Sequence, residues 1–467
     1  MNLTRRDLEK IQHREFRNRE VLARGTVKGV STDSRRTHPG DLFVALRGES
    51  FDGHRFVGAA FEAGAIAAVV EEGFDPAHVA GKPLIYVRNT SFALGALARV
   101  YRDKFRIPFL AVGGSNGKTT TKEMIAKVLG EKYNVLSTEG NLNNHIGVPM
   151  TLFRLNRTHE VAVIEIGTNH PGEIAELCRT LAPTHGVITN IGREHLEFFG
   201  SLDGVAEEEG ELFRSLSPPA GGTAIVGADD ARITLAARPV KRKLTYGFQS
   251  RSASVRGRRV ALDGEGRASF EFRSTAMKRW HGVQLAIPGK HNAMNALSAV
   301  AAGIVFHVPP ARISGALESC RPVSSRMETL SIGGVTILND TYNANPDSAR
   351  AAIETLASLR VPGKKIAVLA DMLELGVHAG EGHTEVGKAT AALGIDYLLT
   401  HGNLAKHIHD AAGIPGALHY DQKNMLAEYL AELLTPGDAV LVKGSRGMHM
   451  EDIIAFLKER LRPARTA

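Results

Sequence analysis

The run Phe109-Leu110-Ala111-Val112-Gly113-Gly114-Ser115-Asn116-Gly117-Lys118-Thr119-Thr120-Thr121 decides how this chain folds. Its first four residues are apolar without alternation, as expected of a strand buried on both faces of a parallel sheet. Downstream, Met124, Ile125, Val128 and Leu129 fall on one face of a helix. Between strand and helix the glycines let backbone N–H groups turn inward around phosphate oxygens, and the helix N-terminus adds partial positive charge. Lys118 can reach the β- and γ-phosphates and the Thr119 hydroxyl can ligate Mg²⁺. Gly114, Ser115, Asn116, Gly117, Lys118, Thr119 and Thr120 therefore form a candidate loop for ATP or GTP. Position 112 is Val, so the spacing is the shorter G-x-x-G-K-T form. The competing reading is a glycine-rich turn that merely caps a helix.

Further strands are predicted on both sides of this unit. Before it, Leu42 to Leu46, Ile66 to Val70 and Leu84 to Val87 are short apolar runs behind a charged opening segment that reads as helical. After it come Val161 to Ile166, Val187 to Thr189 and Ala224 to Val226, with helical periodicity between them. The polar stretch from Arg251 to Trp280 shows weak alternation and reads as an excursion from the sheet. A third set follows Arg321-Pro322: Val335 to Leu338, Ile366 to Ala370, Tyr397 to Thr400 and Ala439 to Val442, with a helix at Met425 to Leu434. The fold class is α/β in three domains: a small α/β unit over 1–107, a central phosphate-loop unit with a mostly parallel sheet over 108–320, and a Rossmann-like unit over 321–467.

Composition narrows the function. Hydrophobic residues make up 43% and charged residues 23%, which excludes a disordered chain. The longest apolar run, near Ala296 to Phe306, is too short to span a bilayer, and the first thirty residues, rich in Arg and Glu, hold no apolar h-region, so no secretory signal is expected in them. Two distant cysteines, Cys178 and Cys320, support neither a disulfide framework nor a zinc site, so a cytoplasmic location is expected. The net charge of +7 is spread along the chain without interleaved aromatics. It suits anionic nucleotide substrates better than nucleic acid.

Other polar residues sit at predicted strand ends, where open α/β sheets bind ligands. Glu165 closes the Val161 to Ile166 strand and could hold Mg²⁺ directly or through water; alternatively it faces solvent. His195, in Thr189-Asn190-Ile191-Gly192-Arg193-Glu194-His195, could ligate metal, contact phosphate or serve a structural hydrogen bond. Asn292 fits a helix N-cap, which would leave Asn295 free to meet a purine.

Taken together, these residues resemble the Mur ligase family, the ATP-dependent amide-forming enzymes of peptidoglycan synthesis. The resemblance runs the length of the chain. It includes Thr32-Asp33-Ser34-Arg35, Leu42-Phe43-Val44-Ala45-Leu46-Arg47-Gly48-Glu49, Gly140-Asn141-Leu142-Asn143-Asn144-His145-Ile146-Gly147-Val148-Pro149 and Ser325-Arg326-Met327-Glu328. It continues through Asp340-Thr341-Tyr342-Asn343-Ala344-Asn345-Pro346, Asp371-Met372-Leu373-Glu374-Leu375-Gly376 and Lys443-Gly444-Ser445-Arg446. The Asn-Ala-Asn-Pro and Asp-Met-Leu-Glu-Leu-Gly strings are similar to those of members that add a D-alanyl-D-alanine dipeptide. The Asp-Asn-Pro-Arg string of the diaminopimelate-adding relative is absent.

The resemblance implies a reaction: ATP, a UDP-N-acetylmuramoyl-tripeptide and D-alanyl-D-alanine give the pentapeptide, ADP and phosphate through an acyl phosphate. It also implies roles. Ser34 and Arg35 would lie near the uridine diphosphate. Lys118, Thr119, Glu165 and His195 would hold ATP and Mg²⁺, and Asn295 the adenine. Arg326 would reach ATP phosphate and Asp340 the ribose. Asn141, Tyr342, Asn343 and Glu374 would face the peptide substrates. Lys118, Glu165, His195 and Arg326 are the expected catalytic set. The third domain would close over the central one to exclude water, and the chain would act as a monomer. One departure stands out. Where the family has a carbamylated lysine near a second Mg²⁺, this chain has Glu209, in Glu207-Glu208-Glu209-Gly210. Glu209 either supplies that charge directly or belongs to a solvated acidic helix face. The alternatives to the dipeptide ligase are another ligase of this fold and a nucleotide-binding relative without catalysis.

Overall fold

A computed structural model describes residues 1–22, 26–48 and 51–461; Glu49, at the end of one quoted string, lies outside the described residues. The Phe109–Gly113 strand is fully buried and has Val161–Glu165 on one side and His185–Ile188 on the other, both parallel. The chain thus leaves Gly113, crosses to Val135–Ser137 at the sheet edge, returns beside itself, and then continues on the opposite side. That reversal opens a crevice at the carboxyl ends of the strands. Register places Glu165 beside Val112 and Ile188 beside Gly113. The phosphate loop, Glu165 and the segment starting at Thr189 therefore leave the sheet at one level.

The same sheet continues through Thr223–Gly227 and Arg242–Gly247 to nine strands. Its last three, Val255–Leu262, Arg267–Ser274 and His281–Pro288, are antiparallel to one another. This corrects the expected excursion: the polar stretch stays hydrogen-bonded to the sheet. Its inner face carries Val255, Phe270, Phe272, Val283 and Leu285, all buried against the helix Asn292–Val305, while arginines occupy the outer face. One covered face and one wet face produce the alternation.

The third region is a six-stranded sheet. Glu328–Ile332 is antiparallel to Val335–Asp340, and the remaining strands, Ala439–Lys443, Lys365–Ala370, Tyr397–His401 and Ala417–Tyr420, are parallel. In the first region, Gly29–Ser31, Asp41–Val44, Ala67–Glu71 and Leu84–Val87 form a parallel set edged by antiparallel Glu15–Arg17. The opening segment is not the expected helix. Thr4 and Asp7 form a capping box around one turn, Arg5–Leu8, after which the chain enters the Glu15–Arg17 strand. Burial of Leu3, Leu8 and Ile11 against the Thr90–Arg102 helix outweighs the helical preference of the charged residues.

Remote from the crevice, His185 packs its ring 4.8 Å from Phe306. Burial pushes its pKa down from 6.5 to about 4. The folded state keeps this imidazole neutral, whereas the unfolded chain takes up a proton below about 6.5. Stability is therefore lost as pH falls from about 6.5 toward about 4, by up to about 3 kcal/mol. Unfolding midpoints at pH 7 and 4.5 should show the loss, and His185→Gln should reduce it.

Candidate active site

A cavity of about 770 Å³ lies over the carboxyl ends of the central sheet and is closed by the third region. It brings together Ser115, Asn116, Gly117, Lys118, Thr119, Thr120, Asn141, Glu165, His195, Asn295, Arg326, Asp340, Tyr342, Asn343 and Glu374. Ser34 and Arg35 do not line it. They lie on the turn Ser34–Arg36 of the first region, where the Arg35 guanidinium takes both oxygens of Asp33 at 2.9 and 2.8 Å. Gly114 and Glu209 are not part of the lining either; they form the floor beneath the loop.

Local geometry explains the loop. Gly114 has φ +110°, and a side chain there would collide with Thr189, whose Oγ1 would be 2.3 Å from its Cβ. Gly117 has φ +78° and sits against the Asn295 amide. Both positions need glycine. Lys118 begins the helix Lys118–Gly130, and its ammonium donates to Gly114 O at 2.6 Å, Ser115 O at 3.1 Å and Glu194 Oε2 at 3.2 Å. Burial works against that charge, yet Glu194, Glu209 and Glu165 outweigh it and raise the Lys118 pKa.

Thr119 Oγ1 donates to Glu165 Oε1 at 3.2 Å, and Asn143 Nδ2 donates to the same oxygen at 2.8 Å. Glu165 Oε2 is buried without a partner, as are Glu194 Oε1 and Glu209 Oε1. Three buried carboxylates thus surround one lysine, a deficit of positive charge that a cation would fill. Among the described residues no three His, Cys, Asp or Glu side chains converge as a ready metal cage. A cation here must complete its shell with the Thr119 hydroxyl, phosphate oxygens and water, as Mg²⁺ characteristically does.

Glu209, on the helix Leu202–Leu216, is fully buried. The solvated-face alternative is therefore excluded. Its Oε2 accepts the Gly114 N–H at 2.7 Å. Burial, with Glu194 and Glu208 nearby, raises its pKa despite the opposing pull of Lys118 and the Gly114 N–H.

Asn292 is not the expected cap. The Asn292–Val305 helix starts one residue earlier than a cap at that position requires, with His291 at the cap position, and Asn292 Nδ2 donates to Pro288 O at 2.7 Å. Asn295 Nδ2 donates to Asn292 Oδ1 at 2.9 Å, and its amide lies against Gly117 at the edge of the cavity.

One segment, Thr189 to Glu197, joins the phosphate loop to the third region. Asn190 Oδ1 accepts from Asn116 N at 3.0 Å, Gly192 N donates to Ser115 Oγ at 2.8 Å, and Glu194 holds Lys118. From the same segment, Arg193 takes Asp347 through its backbone N–H at 2.8 Å and its guanidinium at 2.9 Å, and also Glu385. His195, at φ +47°, places Nδ1 2.8 Å from Glu374 Oε2, which holds the Glu374 carboxyl below its usual range. Asn345 Nδ2 donates to Asn116 Oδ1 at 2.8 Å, and Leu196 and Val205 enter the third region's core. None of Asn143, Glu194, Arg193 and Asn345 was expected from sequence as a site residue. Glu194 had a local signal, being next to His195 in a quoted string. The others act through partners remote in sequence.

Arg193→Ala should loosen this seam. Its ion pairs are charge-assisted and partly buried. Without nucleotide, the small-angle scattering profile should shift to a more extended particle, and kcat/KM for ATP-dependent turnover should fall about tenfold. Arg326 stacks on the Tyr342 ring at 3.7 Å, between Ser325 and Met327, both at positive φ. Asp340 pairs with Lys443 across adjacent strand ends at 2.6 Å.

Comparison with known proteins agrees with this arrangement. Residues 26–102 match the Mur ligase family catalytic domain, 112–303 the Mur ligase middle domain, and 325–446 the Mur ligase glutamate ligase domain. The UDP-N-acetylmuramoyl-tripeptide–D-alanyl-D-alanine ligase of Bacillus subtilis is 37% identical, over 93% of each chain. That of Escherichia coli is 36% identical, over 93% of this chain and 94% of its own. A crystal structure of MurF from Acinetobacter baumannii superposes with a TM-score of 0.89 at 32% identity, covering 98% of this chain and 99% of its own. MurF ligase from Thermotoga maritima in complex with ADP gives 0.83 at 28% identity, with 93% and 98% covered.

Proposed function

The chain belongs to the Mur ligase family, and from that premise we propose that its cavity joins D-alanyl-D-alanine to a UDP-N-acetylmuramoyl-tripeptide in peptidoglycan precursor synthesis, consuming ATP. The observation that carries this reading is the shared cavity: the phosphate loop of the central sheet and the Tyr342-Asn343 and Leu373-Glu374 turns of the third sheet face one another across it.

The chemistry follows from the groups present. An oxide leaves a carboxylate too poorly for direct amide formation. The tripeptide carboxylate instead attacks the γ-phosphorus of ATP and releases ADP, the dipeptide amine attacks the resulting acyl phosphate, and phosphate leaves as the nitrogen loses a proton. Two anions must meet in the first step, so positive charge has to be in place beforehand. Lys118 supplies part of it from the loop, and the backbone N–H groups of Gly117, Lys118 and Thr119 supply more, those of Ser115 and Asn116 being taken by Asn190. Arg326 comes in on the third region. Thr119, Glu165 and His195 would hold Mg²⁺, and Glu209, beneath the loop, would add negative charge where a bound cation draws off its proton. Held there, Mg²⁺ would supply charge neutralisation for the anions that meet in this step. The closed seam keeps water from the acyl phosphate. Asn295 and Asp340 would meet the adenosine, Asn141, Tyr342, Asn343 and Glu374 the peptides, and Ser34 and Arg35 the uridine diphosphate on the first region.

Three domains over 1–107, 108–320 and 321–467 divide these tasks. The chain works as a monomer in the cytoplasm. Two observations support that location: among the described residues no helix is long and apolar enough to cross a membrane, and both cysteines are free and buried. ADP release from the purified chain with UDP-N-acetylmuramoyl-tripeptide tests the reading. Release should require D-alanyl-D-alanine, and release that ignores the dipeptide would refute it.

A further inference from the structure

We propose that Arg446 binds the carboxylate of the incoming dipeptide and so makes a free C-terminal acid a requirement of the acceptor. This rests on the ligase reading above and concerns the acceptor half of the same cavity.

Two loops meet there, extending neighbouring parallel strands, Lys365–Ala370 and Ala439–Lys443. Such strands lie about 4.8 Å apart. Leu373 donates its N–H to Ser445 Oγ at 2.8 Å. A Cβ on Gly447 would come 3.1 Å from Leu373 Cδ1, so glycine keeps this contact low. The residues one step further along each loop from Leu373 and Ser445 carry opposite charges. Glu374 is directed to the central region by His195. Arg446 is anchored through its backbone N–H on Asn343 Oδ1 at 3.3 Å. Between them Leu373 remains 39% exposed, unusual for a leucine beside a buried strand end. The notch therefore presents an acidic end, an apolar floor and a basic end. D-Alanyl-D-alanine presents an ammonium, two methyl groups and a carboxylate in that order, over about 7 Å when extended.

Counting the cavity's cations leads to the same residue. Lys118 is held by its own loop and Glu194. Lys443 is buried and donates to Asp340 Oδ2 at 2.6 Å and Asn343 O at 2.8 Å. Arg326 stacks on Tyr342 at the joint between the central and third regions. Arg446 keeps 61% of its side chain exposed and meets one carboxylate, Glu451, through one nitrogen at 3.1 Å. The rest of its guanidinium fork is available to a carboxylate, which such a fork can take in bidentate fashion.

The experiment measures steady-state turnover by the full chain with D-alanyl-D-alanine and with D-alanyl-D-alaninamide, at saturating ATP and UDP-substrate. Wild type should prefer the acid over the amide by about 30-fold or more in kcat/KM. Arg446→Gln should raise the dipeptide KM by about that factor, leave the amide's kcat/KM within about threefold, and erase the preference. Arg446→Lys should restore part of it. Equilibrium binding of ATP, read separately, should match wild type in both variants and shows that they are folded. An Arg446→Gln enzyme that still prefers the acid, or one that loses acid and amide turnover equally, overturns the assignment of Arg446. Wild-type chain that ligates acid and amide alike overturns it as well. Wild-type chain that ligates neither refutes the ligase reading instead.

Discussion

Lys118→Ala will reduce ATP-dependent ligation by about 10³-fold or more, with the loss in kcat/KM for ATP. Two separate consequences of one position produce this. The ammonium is the one side-chain cation fixed inside the phosphate loop, bonded to Gly114 O and Ser115 O, so no other lysine or arginine of the loop can replace it. It also balances Glu194, Glu209 and Glu165, the three groups that raise its pKa. Removing one partner of a buried charge cluster commonly costs about 3–5 kcal/mol, and the variant should unfold at lower temperature as well as turn over slowly. The sign with pH distinguishes this from a packing defect. Acid protonates Glu209, whose burial raises its pKa to about 8, so the stability gap between Lys118→Ala and wild type should narrow from pH 8 to pH 5. A gap that stays constant across that range would contradict the account. Lys118→Arg should recover much of the stability and little of the turnover, because a planar fork does not fit the pocket of a compact ammonium.

Glu209→Gln should give effects of opposite sign on stability and function. The glutamine oxygen can still accept the Gly114 N–H, so the loop keeps its anchor. What is lost is a buried negative charge. Because the folded-state pKa of Glu209 lies above its ordinary value, the folded protein holds this proton more tightly than the unfolded chain does. Ionisation therefore costs stability as pH rises from about 4.5 through the folded value. The glutamine removes that cost. Its melting temperature should exceed wild type by about 2–4 °C at pH 8 and match it near pH 4. Mg²⁺-dependent turnover should fall by about 10- to 100-fold, with the Mg²⁺ concentration for half-maximal rate displaced upward. Full turnover at wild-type Mg²⁺ concentrations would show that the charge under the loop has no part in catalysis.

The parts of this structure readable from sequence share one property: their signal is local. Strands such as Phe109–Gly113 and Lys365–Ala370 are continuous apolar runs, and their observed ends differ by only one or two residues from the predicted ones. The phosphate loop carries strand, glycines, lysine and helix within thirteen residues. The opening segment misled because its charges suit a helix, while the burial of Leu3 and Leu8 depends on a helix some ninety residues away. Asn292 and Asn295 were recognisable as special, but the position of Asn292 inside the helix and its pairing with Asn295 depend on contacts that the local pattern does not carry. Arg193 and Asn345 were invisible for a different reason. A loop arginine or asparagine has no periodicity, and only folding brings Arg193 to Asp347 or Asn345 to Asn116.

Leu196 and Val205 of the central region lie in the third region's core, so part of what holds the two together is oil-like contact. Apolar attraction weakens on cooling, whereas charge-assisted pairs such as Arg193 with Asp347 do not weaken in the same way. Chilling should therefore ease the two bodies apart before either one melts. Opening should carry a positive heat-capacity increment, and an organism living in the cold would need to recast that greasy contact before altering any catalytic side chain.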